Sequence, residues 1–224
     1  MPLVLDIQKP HFQLKVWKIE ESLEFFEENT NLYESEKARY LKIKREYRKL
    51  QWIAGSYLTK QMIGDEEIVK NEHGKPFIKS KSAFISVSHC ADYAVCIVSK
   101  QYNVGVDIEP MREKVLRLTD KFLNEEEIIF LENDNKIKHA ITCWAMKEAA
   151  FKWYGKEYLS FKDNILIAPF KYKDELSRIR VCVVAPHKNY LLKAFHLNIN
   201  EHSLVFCFAK KDLQKPDLLG NLDR

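Results

Sequence analysis

Two acidic residues, two positions apart, are the strongest candidates for chemistry in this chain. Asp107 and Glu109 lie in the segment Val104-Gly-Val-Asp-Ile-Glu109, whose alternating apolar residues predict a strand. Residues i and i+2 of a strand project from the same face, so both carboxylates would face one point. Such like charges repel and need a cation or solvent between them, and their hard oxygen ligands suit Mg²⁺ shared with a substrate phosphate. The alternative is a strand that runs out into solvent before Pro110.

A second group of charged residues lies on a helix predicted over residues 137–154. Glu148 and Lys152 stand four positions apart and therefore share a helix face. As a simple ion pair they would stabilise the helix by only about 0.2–0.5 kcal/mol. Their neighbours are mostly apolar, so Lys147, Glu148 and Lys152 are not all expected to be freely solvated.

Glu127 and His89 have competing structural explanations. Glu127 follows Asn124 by three residues, the spacing of a capping box, which favours helix capping over a catalytic role. His89 follows a predicted strand and could donate to a phosphate, or could be a partly buried turn histidine. Ser88 precedes it, but no Gly-x-Ser-x-Gly elbow is present, and adjacent strand residues point to opposite faces, which argues against a serine hydrolase.

Positive charge is concentrated in a helix predicted over residues 35–62. The net charge of +4 is too small to imply general nucleic-acid binding, so attraction to anions has to come from this local basic patch. Its basic residues are Lys37, Arg39, Lys42, Lys44, Arg45, Arg48 and Lys49. A Gly-Lys-Pro turn after it is predicted to present Lys75.

Composition places the chain among ordinary globular proteins. Its 224 residues, 46% hydrophobic and 30% charged, fit one large domain or two small ones and exclude a mainly disordered chain. The five cysteines include no Cys-x-x-Cys pair, and their odd number argues against a closed disulfide framework, so neither zinc sites nor disulfides are expected. Neither a signal-peptide pattern nor a membrane-length apolar run occurs, so the cytoplasm is the expected location.

The apolar periodicity predicts an α+β fold. Strands are predicted at residues 12–19, 83–88, 93–99, 104–109, 179–185, 191–198 and 204–209, and helices at 20–29, 35–62, 115–122, 125–132 and 137–154. The Trp-to-Lys spacing of Trp52–Lys60 recurs in Trp144–Lys152, which favours two similar halves that meet near residues 100–105. Gly155 is placed to end the last helix.

Six sequence blocks, taken in order, resemble the 4′-phosphopantetheinyl transferases of the long, Sfp-type class. The most specific feature is the pairing of Gly-Val-Asp-Ile-Glu with Trp-x-x-Lys-Glu-Ala-x-x-Lys at this separation. Together the blocks span about residues 37–156. They are the basic helix, His73-Gly-Lys-Pro-Phe77, Ile85-Ser-Val-Ser-His89, Val104-Gly-Val-Asp-Ile-Glu109, Lys121-Phe-Leu-Asn-Glu-Glu-Glu127 and Trp144-Ala-Met-Lys-Glu-Ala-Ala-Phe-Lys152.

The resemblance implies an enzyme that moves the phosphopantetheine arm of coenzyme A onto a serine of an apo acyl or peptidyl carrier protein and releases adenosine 3′,5′-bisphosphate. It implies Mg²⁺, with Mn²⁺ as an alternative, and a monomer. The modest net charge and the lack of a membrane-length apolar run add the expectation of no nucleic-acid or membrane partner. It also implies two α/β halves related by a pseudo-twofold axis, with the active site at their interface. The halves would be residues 1–103 and 104–209, followed by a polar tail, 210–224.

The resemblance also assigns roles to residues. The expected metal ligands are Asp107, Glu109 and Glu148, and the expected coenzyme A contacts are Arg48, Lys75, Ser88, His89, Asp107, Lys147 and Lys152. His89 would bind the 3′-phosphate, and Lys152 could offset charge on the leaving group. The serine proton could pass to Glu148 or, through a water, to Glu127, and the register of the acid within Glu125–Glu127 is open by one residue.

Two other functions remain open from the residues alone. A metal-dependent nuclease or phosphohydrolase also uses clustered acids and a lysine, but Met111 stands where such a lysine would follow the second acid. An RNA-binding module could use the basic helix with its aromatic neighbours Tyr40, Tyr47 and Trp52.

Overall fold

The computed structural model describes residues 2–131, 135–156 and 158–209. The tail predicted from residue 210 onward lies outside these residues. The strands are β1 (Leu3–Lys9), β2 (Phe12–Lys18), β3 (Ile68–Lys70), β4 (Pro76–Ile78), β5 (Phe84–Cys90), β6 (Tyr93–Ser99), β7 (Val104–Pro110), β8 (Ile165–Ile167), β9 (Ser177–Val184), β10 (Asn189–Ile199) and β11 (His202–Phe208). The α-helices are α1 (Leu23–Asn29), α2 (Glu34–Leu41), α3 (Glu46–Ile63), α4 (Thr119–Phe122), α5 (Glu125–Ile129), α6 (Lys136–Tyr154) and α7 (Phe161–Asn164), and a 3₁₀ helix spans Glu113–Arg117.

The first sheet has four strands in the order β1-β2-β6-β5. All adjacent strands in this sheet pair in antiparallel orientation. Strand β6 is almost entirely buried because α1 and α3 cover one face of the sheet and the second sheet packs on the other. A short β3–β4 hairpin stands apart from this sheet and leads into β5.

The second sheet has five strands in the order β7-β11-β10-β9-β8, and α6 packs across its β7 and β11 strands. Helix α6 buries most of its length, so its apolar residues form the centre of the largest core cluster. Gly105 allows α6 to approach β7 closely: a Cβ atom at this position would lie 2.0 Å from the Ala149 carbonyl oxygen. Any side chain there would therefore push the helix away from the strand.

The two sheets share one core cluster. Leu14 and Val95 of the first sheet pack in the same buried group as Val106, Leu204 and Phe206 of the second. Strand β7 also contacts both β5 and β6. The segments predicted as separate halves are therefore joined by a common apolar layer.

The predicted basic helix is two helices rather than one, so the single helix expected over residues 35–62 is wrong. Helix α2 ends at Leu41 and α3 begins at Glu46. No glycine or proline marks the break. Instead, Lys42 and Ile43 donate to carbonyls three residues back, and the turn brings Ile43 against the core that already holds Tyr40. Tertiary packing overrides a helix-favouring local sequence here.

The predicted strands are confirmed to within a few residues. The predicted helix over residues 137–154 is confirmed as α6, and Gly155 adopts the left-handed conformation at its end. The segment predicted as a helix over 115–122 consists of the 3₁₀ helix and α4. Strands β1, β3, β4 and β8 have no counterpart in the prediction. The last three are only three residues long, too short for an alternating pattern to be recognised, and β1 is an edge strand with no fully buried residue. Among the described residues, no helix is long and apolar enough to span a membrane.

Candidate active site

Helix α6 is fastened to strand β7 at two points that flank Glu148. Trp144 Nε1 donates to Glu109 Oε1 at 3.1 Å, and Lys152 Nζ donates to Asp107 Oδ1 at 2.6 Å. Trp144, Glu148 and Lys152 are spaced by four residues, so they share one face, and each is only partly buried on a helix that is mostly buried. This face of α6 lies toward β7, so Glu148 is close enough to Asp107 and Glu109 to interact with both electrostatically.

Asp107 is the most buried of these acids and binds two partners through one oxygen. Its Oδ1 atom accepts from Ser88 Oγ at 2.7 Å and from Lys152, which also donates to Ser88 Oγ at 2.8 Å. The side chain of Asp107 is 4% exposed, and its Oδ2 atom is buried without a hydrogen-bond partner among the described residues. A buried carboxylate oxygen with no partner is costly, which suits a position that a cation or a donor completes.

The carboxyl groups of Glu109 and Glu148 both have a raised pKa. Burial, followed by the negative charge of Asp107, raises the pKa of each to about 7. The Trp144 indole works in the opposite direction at Glu109, and Lys152 does so at Glu148. These two carboxyls therefore exchange protons near physiological pH, the behaviour expected at a functional site.

The three carboxylates of the site are not arranged as a complete set of metal ligands. Within the described ranges, no group of three or more histidine, cysteine, aspartate or glutamate side chains has the geometry to hold a metal ion. Asp107, Glu109 and Glu148 nevertheless interact electrostatically, and the unpartnered Oδ2 atom of Asp107 offers a hard oxygen ligand. This donor set fits a Mg²⁺ ion that keeps several waters and takes few protein ligands.

Ser88 and His89 at the end of β5 point to different sides, as predicted. Ser88 is buried against Asp107, whereas His89 keeps an exposed surface and lines a neighbouring cavity. Loss of water around the ring lowers the pKa of His89, and the positive charges of Lys152 and Arg48 lower it further. Lys152 and Arg48 therefore create a positive field around the neutral His89 ring, which would attract phosphates.

The cavity beside His89 has a volume of about 190 Å³ and lies between α2, α3, the β3–β4 hairpin and β5. Its lining combines apolar side chains with the charged side chains of Glu36, Arg39 and Lys70. The residues that line it are Glu36, Arg39, Trp52, Gly55, Ser56, Thr59, Ile68, Lys70, Pro76, Val87 and His89.

Lys75 binds the end of α6 instead of standing free on its turn. Its Nζ atom donates to the Trp153 carbonyl at 2.6 Å and to Asn103 Oδ1 at 2.7 Å. Asn71 of the same loop donates to the Gly155 carbonyl. Burial lowers the pKa of Lys75 to about 8. The loop thus caps the C-terminus of α6, where a cation also complements the helix dipole.

Lys147 and Glu127 form a buried cluster of their own. Lys147 is fully buried, and its ammonium group donates to Glu127 Oε2 at 2.6 Å and to the carbonyls of Phe161 and Ile165. Glu127 also accepts from the backbone of Asn124, which confirms the capping box, and from that of Ile167. These bonds use all three ammonium donors of Lys147, so they give this pair a structural role in joining α5, α6 and β8.

A matching cluster occurs around Glu36 and was not predicted. Glu36 also occupies the third position of a helix and accepts from the N-cap backbone of Tyr33, from the Ile68 backbone and from Lys60. The sequence echo pairs Lys60 with Lys152, but the hydrogen bonds instead make Lys60 the counterpart of Lys147. The usual sequence signal was missing because the residue at the N-cap is Tyr33 rather than Ser, Thr, Asp or Asn.

Comparison with known proteins supports the resemblance seen in the sequence. Residues 103–207 match the model of the 4′-phosphopantetheinyl transferase superfamily. The predicted resemblance to this superfamily is confirmed. The chain is also 32% identical over 126 residues to the 4′-phosphopantetheinyl transferase gsp of Aneurinibacillus migulanus, an alignment that covers 53% of this chain and 52% of that protein. The chain therefore spans about half the length of the relative it matches.

The stretch that matches the 4′-phosphopantetheinyl transferase superfamily holds much of the site. It begins just before β7 and ends within β11, so it includes Asp107, Glu109, Glu148 and Lys152. Ser88, His89 and the cavity beside them lie before it. The geometry connects the two parts through the Ser88–Asp107 hydrogen bond.

Proposed function

We propose that this protein transfers the 4′-phosphopantetheine group of coenzyme A to a serine of an apo acyl or peptidyl carrier protein. The observation that carries the proposal is Asp107, buried beside Lys152 and Ser88 with one free oxygen, in a stretch that matches the superfamily. Asp107, Glu109 and Glu148 would hold Mg²⁺, or Mn²⁺ in its place. When bound, the ion would neutralise charge on the pyrophosphate.

The chain's own residues would position the substrate. Lys152 would bind a phosphate and offset charge on the leaving group, since its ammonium group already lies among Asp107 and Ser88. Arg48 and His89 would attract the nucleotide end. Glu148, with its pKa raised to about 7 by burial and by the charge of Asp107, is well matched to accept the serine proton. Glu127 is engaged in capping and in the Lys147 pair, which favours Glu148 as the base.

The proposed architecture is two similar halves, residues 1–103 and 104–209, with the site between them. The repeated clusters support it: Glu36, Lys60 and Ile68 in one half correspond to Glu127, Lys147 and Ile167 in the other. The site draws Ser88 and His89 from the first half and the acids from the second. We further propose a cytoplasmic monomer without nucleic-acid partners, a location with which the five free cysteines agree.

The decisive experiment supplies purified protein with coenzyme A, Mg²⁺ and several apo carrier proteins, and measures carrier mass. We expect a gain equal to the phosphopantetheine group on at least one carrier, and none without coenzyme A. No gain on any carrier, combined with metal-dependent cleavage of a phosphodiester, would instead favour the nuclease or phosphohydrolase. Tight, salt-sensitive RNA binding that survives charge reversal at Asp107 would favour the RNA-binding module.

A further inference from the structure

The Glu36–Lys60 pair lies at the edge of the cavity, which Glu36 lines, and joins three segments of the first half. Glu36 is 1% exposed and Lys60 is 8% exposed. The Glu36 carboxylate accepts from the Tyr33 backbone at 2.8 Å, from the Ile68 backbone at 3.1 Å and from Lys60 at 3.0 Å. Lys60 also donates to the Glu66 carbonyl at 2.7 Å. One carboxylate thus connects α2, α3 and the start of the β3–β4 hairpin.

The hairpin is fixed to α2 at both backbone groups of Ile68. The Glu36 carboxylate accepts a hydrogen bond from the Ile68 N–H group. Arg39, which lies one turn later on α2, donates to the Ile68 carbonyl at 2.5 Å. Ser35 adds a bond to Glu67 at 2.7 Å. Side chains of α2 therefore satisfy groups that a neighbouring strand would otherwise bind, and they set the distance between the hairpin and the helices.

The segments that these contacts hold together also line the cavity. Ile68, Lys70 and Pro76 of the hairpin line the cavity together with Trp52 and Ser56 of α3. We propose that the Glu36–Lys60 pair is a positioning pair that sets the width of this cavity and thereby the affinity for the nucleotide end of coenzyme A. This inference rests on the proposed function, because it assigns the cavity beside His89 to that end of the substrate.

Stability alone does not account for a buried ion pair at this position. Replacing such a pair with apolar residues of similar size is often neutral or stabilising, because both charges lose their hydration when buried. What an apolar pair cannot supply is directed bonding to the Tyr33 and Ile68 backbones. The charged pair therefore gives a fixed arrangement of three segments, and the cavity they enclose depends on that arrangement.

The test compares Glu36→Gln with a matched control, Glu27→Gln. The first keeps the side-chain volume but replaces one acceptor oxygen with a donor, so the hairpin should shift. The KM for coenzyme A should rise on the order of tenfold, because small misplacements weaken binding strongly, while kcat and the KM for the carrier stay within about twofold. Glu27→Gln removes the acceptor of the Tyr40 hydroxyl at a site that does not line the cavity, and should lower Tm without changing either KM.

A second variant guards against misfolding of the first. The double change Glu36→Gln/Lys60→Met leaves no unpaired buried charge, so it should fold and still show the raised KM. Calorimetry should give a parallel loss in coenzyme A affinity. A lowered Tm with unchanged KM and affinity in both variants overturns the positioning role while the transferase proposal stands. If the unmodified protein neither binds coenzyme A nor modifies a carrier, both proposals fall.

Discussion

Lys152 Nζ lies 2.6 Å from Asp107 Oδ1 and forms the link between the helix and the strand that carry the acids. Because Trp144 fastens Glu109 eight residues earlier on the same face, the orientation of α6 determines where Glu148 points. The site is thus built from an interface between two elements, and disturbing either fastening should move the carboxyl groups relative to one another.

Asp107→Asn should abolish most of the transfer activity while the fold stays intact. The amide keeps the volume of the side chain but removes the negative charge that the metal and Lys152 need, so the transfer rate should fall by on the order of 100-fold or more. Carrier modification followed by mass spectrometry measures it. The exposed Asp120→Asn is the matched control and should work at the normal rate. Near-normal turnover of Asp107→Asn would remove this residue from the metal site.

Glu127→Gln separates capping from catalysis. The change leaves the buried Lys147 ammonium without its counter-charge, which should cost about 3–5 kcal/mol of stability. The specific activity of the folded fraction should be retained. Urea unfolding and an activity assay on the same samples measure both quantities. A stable but inactive variant would instead identify Glu127 as the base.

Gly105→Ala should destabilise the protein through a steric clash. The new methyl group would meet the Ala149 carbonyl oxygen and the Trp153 backbone nitrogen, both belonging to the α6 backbone, and overpacking of this kind costs about 1–3 kcal/mol. Displacement of α6 should also slow transfer. Gly55→Ala is the matched control, since its methyl group would lie 3.3 Å from a side-chain atom of Val87 and alanine favours the helix. Equal unfolding midpoints for the two variants would contradict the close approach at Gly105.

Acid should destabilise the protein in part through His196. Burial lowers the pKa of this histidine from its ordinary value of 6.5 to about 4, a shift that Asn198 and Asp174 partly oppose and that His139 increases. Between these pH values the unfolded chain binds a proton that the folded chain does not, so stability falls as pH decreases from about 6.5 to 4. This group alone should contribute about 3 kcal/mol to that loss.

The measurement is the free energy of unfolding as a function of pH. His196→Gln should show a shallower acid slope than the unmodified protein. The exposed His187→Gln is its control and should keep the original slope. An unchanged slope in His196→Gln would show that other groups, rather than this histidine, dominate the acid response.

Features determined by neighbours along the chain could be predicted from the sequence. The Asn124–Glu127 capping box and the Gly155 helix end are local, and both are confirmed. Likewise, the i, i+2 spacing of Asp107 and Glu109 and the i, i+4 spacing of Glu148 and Lys152 follow from the geometry of a single strand or helix.

Features determined by distant partners could not be predicted. Lys147 and Lys152 both belong to a motif suggestive of phosphate binding, yet Lys147 is bound to carbonyls of Phe161 and Ile165 that no local pattern reveals. Lys75 was expected to be presented by its turn, but it caps a helix 78 residues away. The break between α2 and α3 depends on Ile43 reaching the core, which a helix-favouring sequence conceals.

The apolar layer shared by the two sheets has a consequence for how the chain could be divided. A polypeptide cut after residue 103 would leave Leu14 and Val95 on one fragment and Val106 and Phe206 on the other, each with an uncovered hydrophobic face. The fragments should consequently be insoluble or poorly folded alone and should reassemble when produced together. Such a split pair would behave as an obligate heterodimer, whose activity would report directly on the association of its two parts.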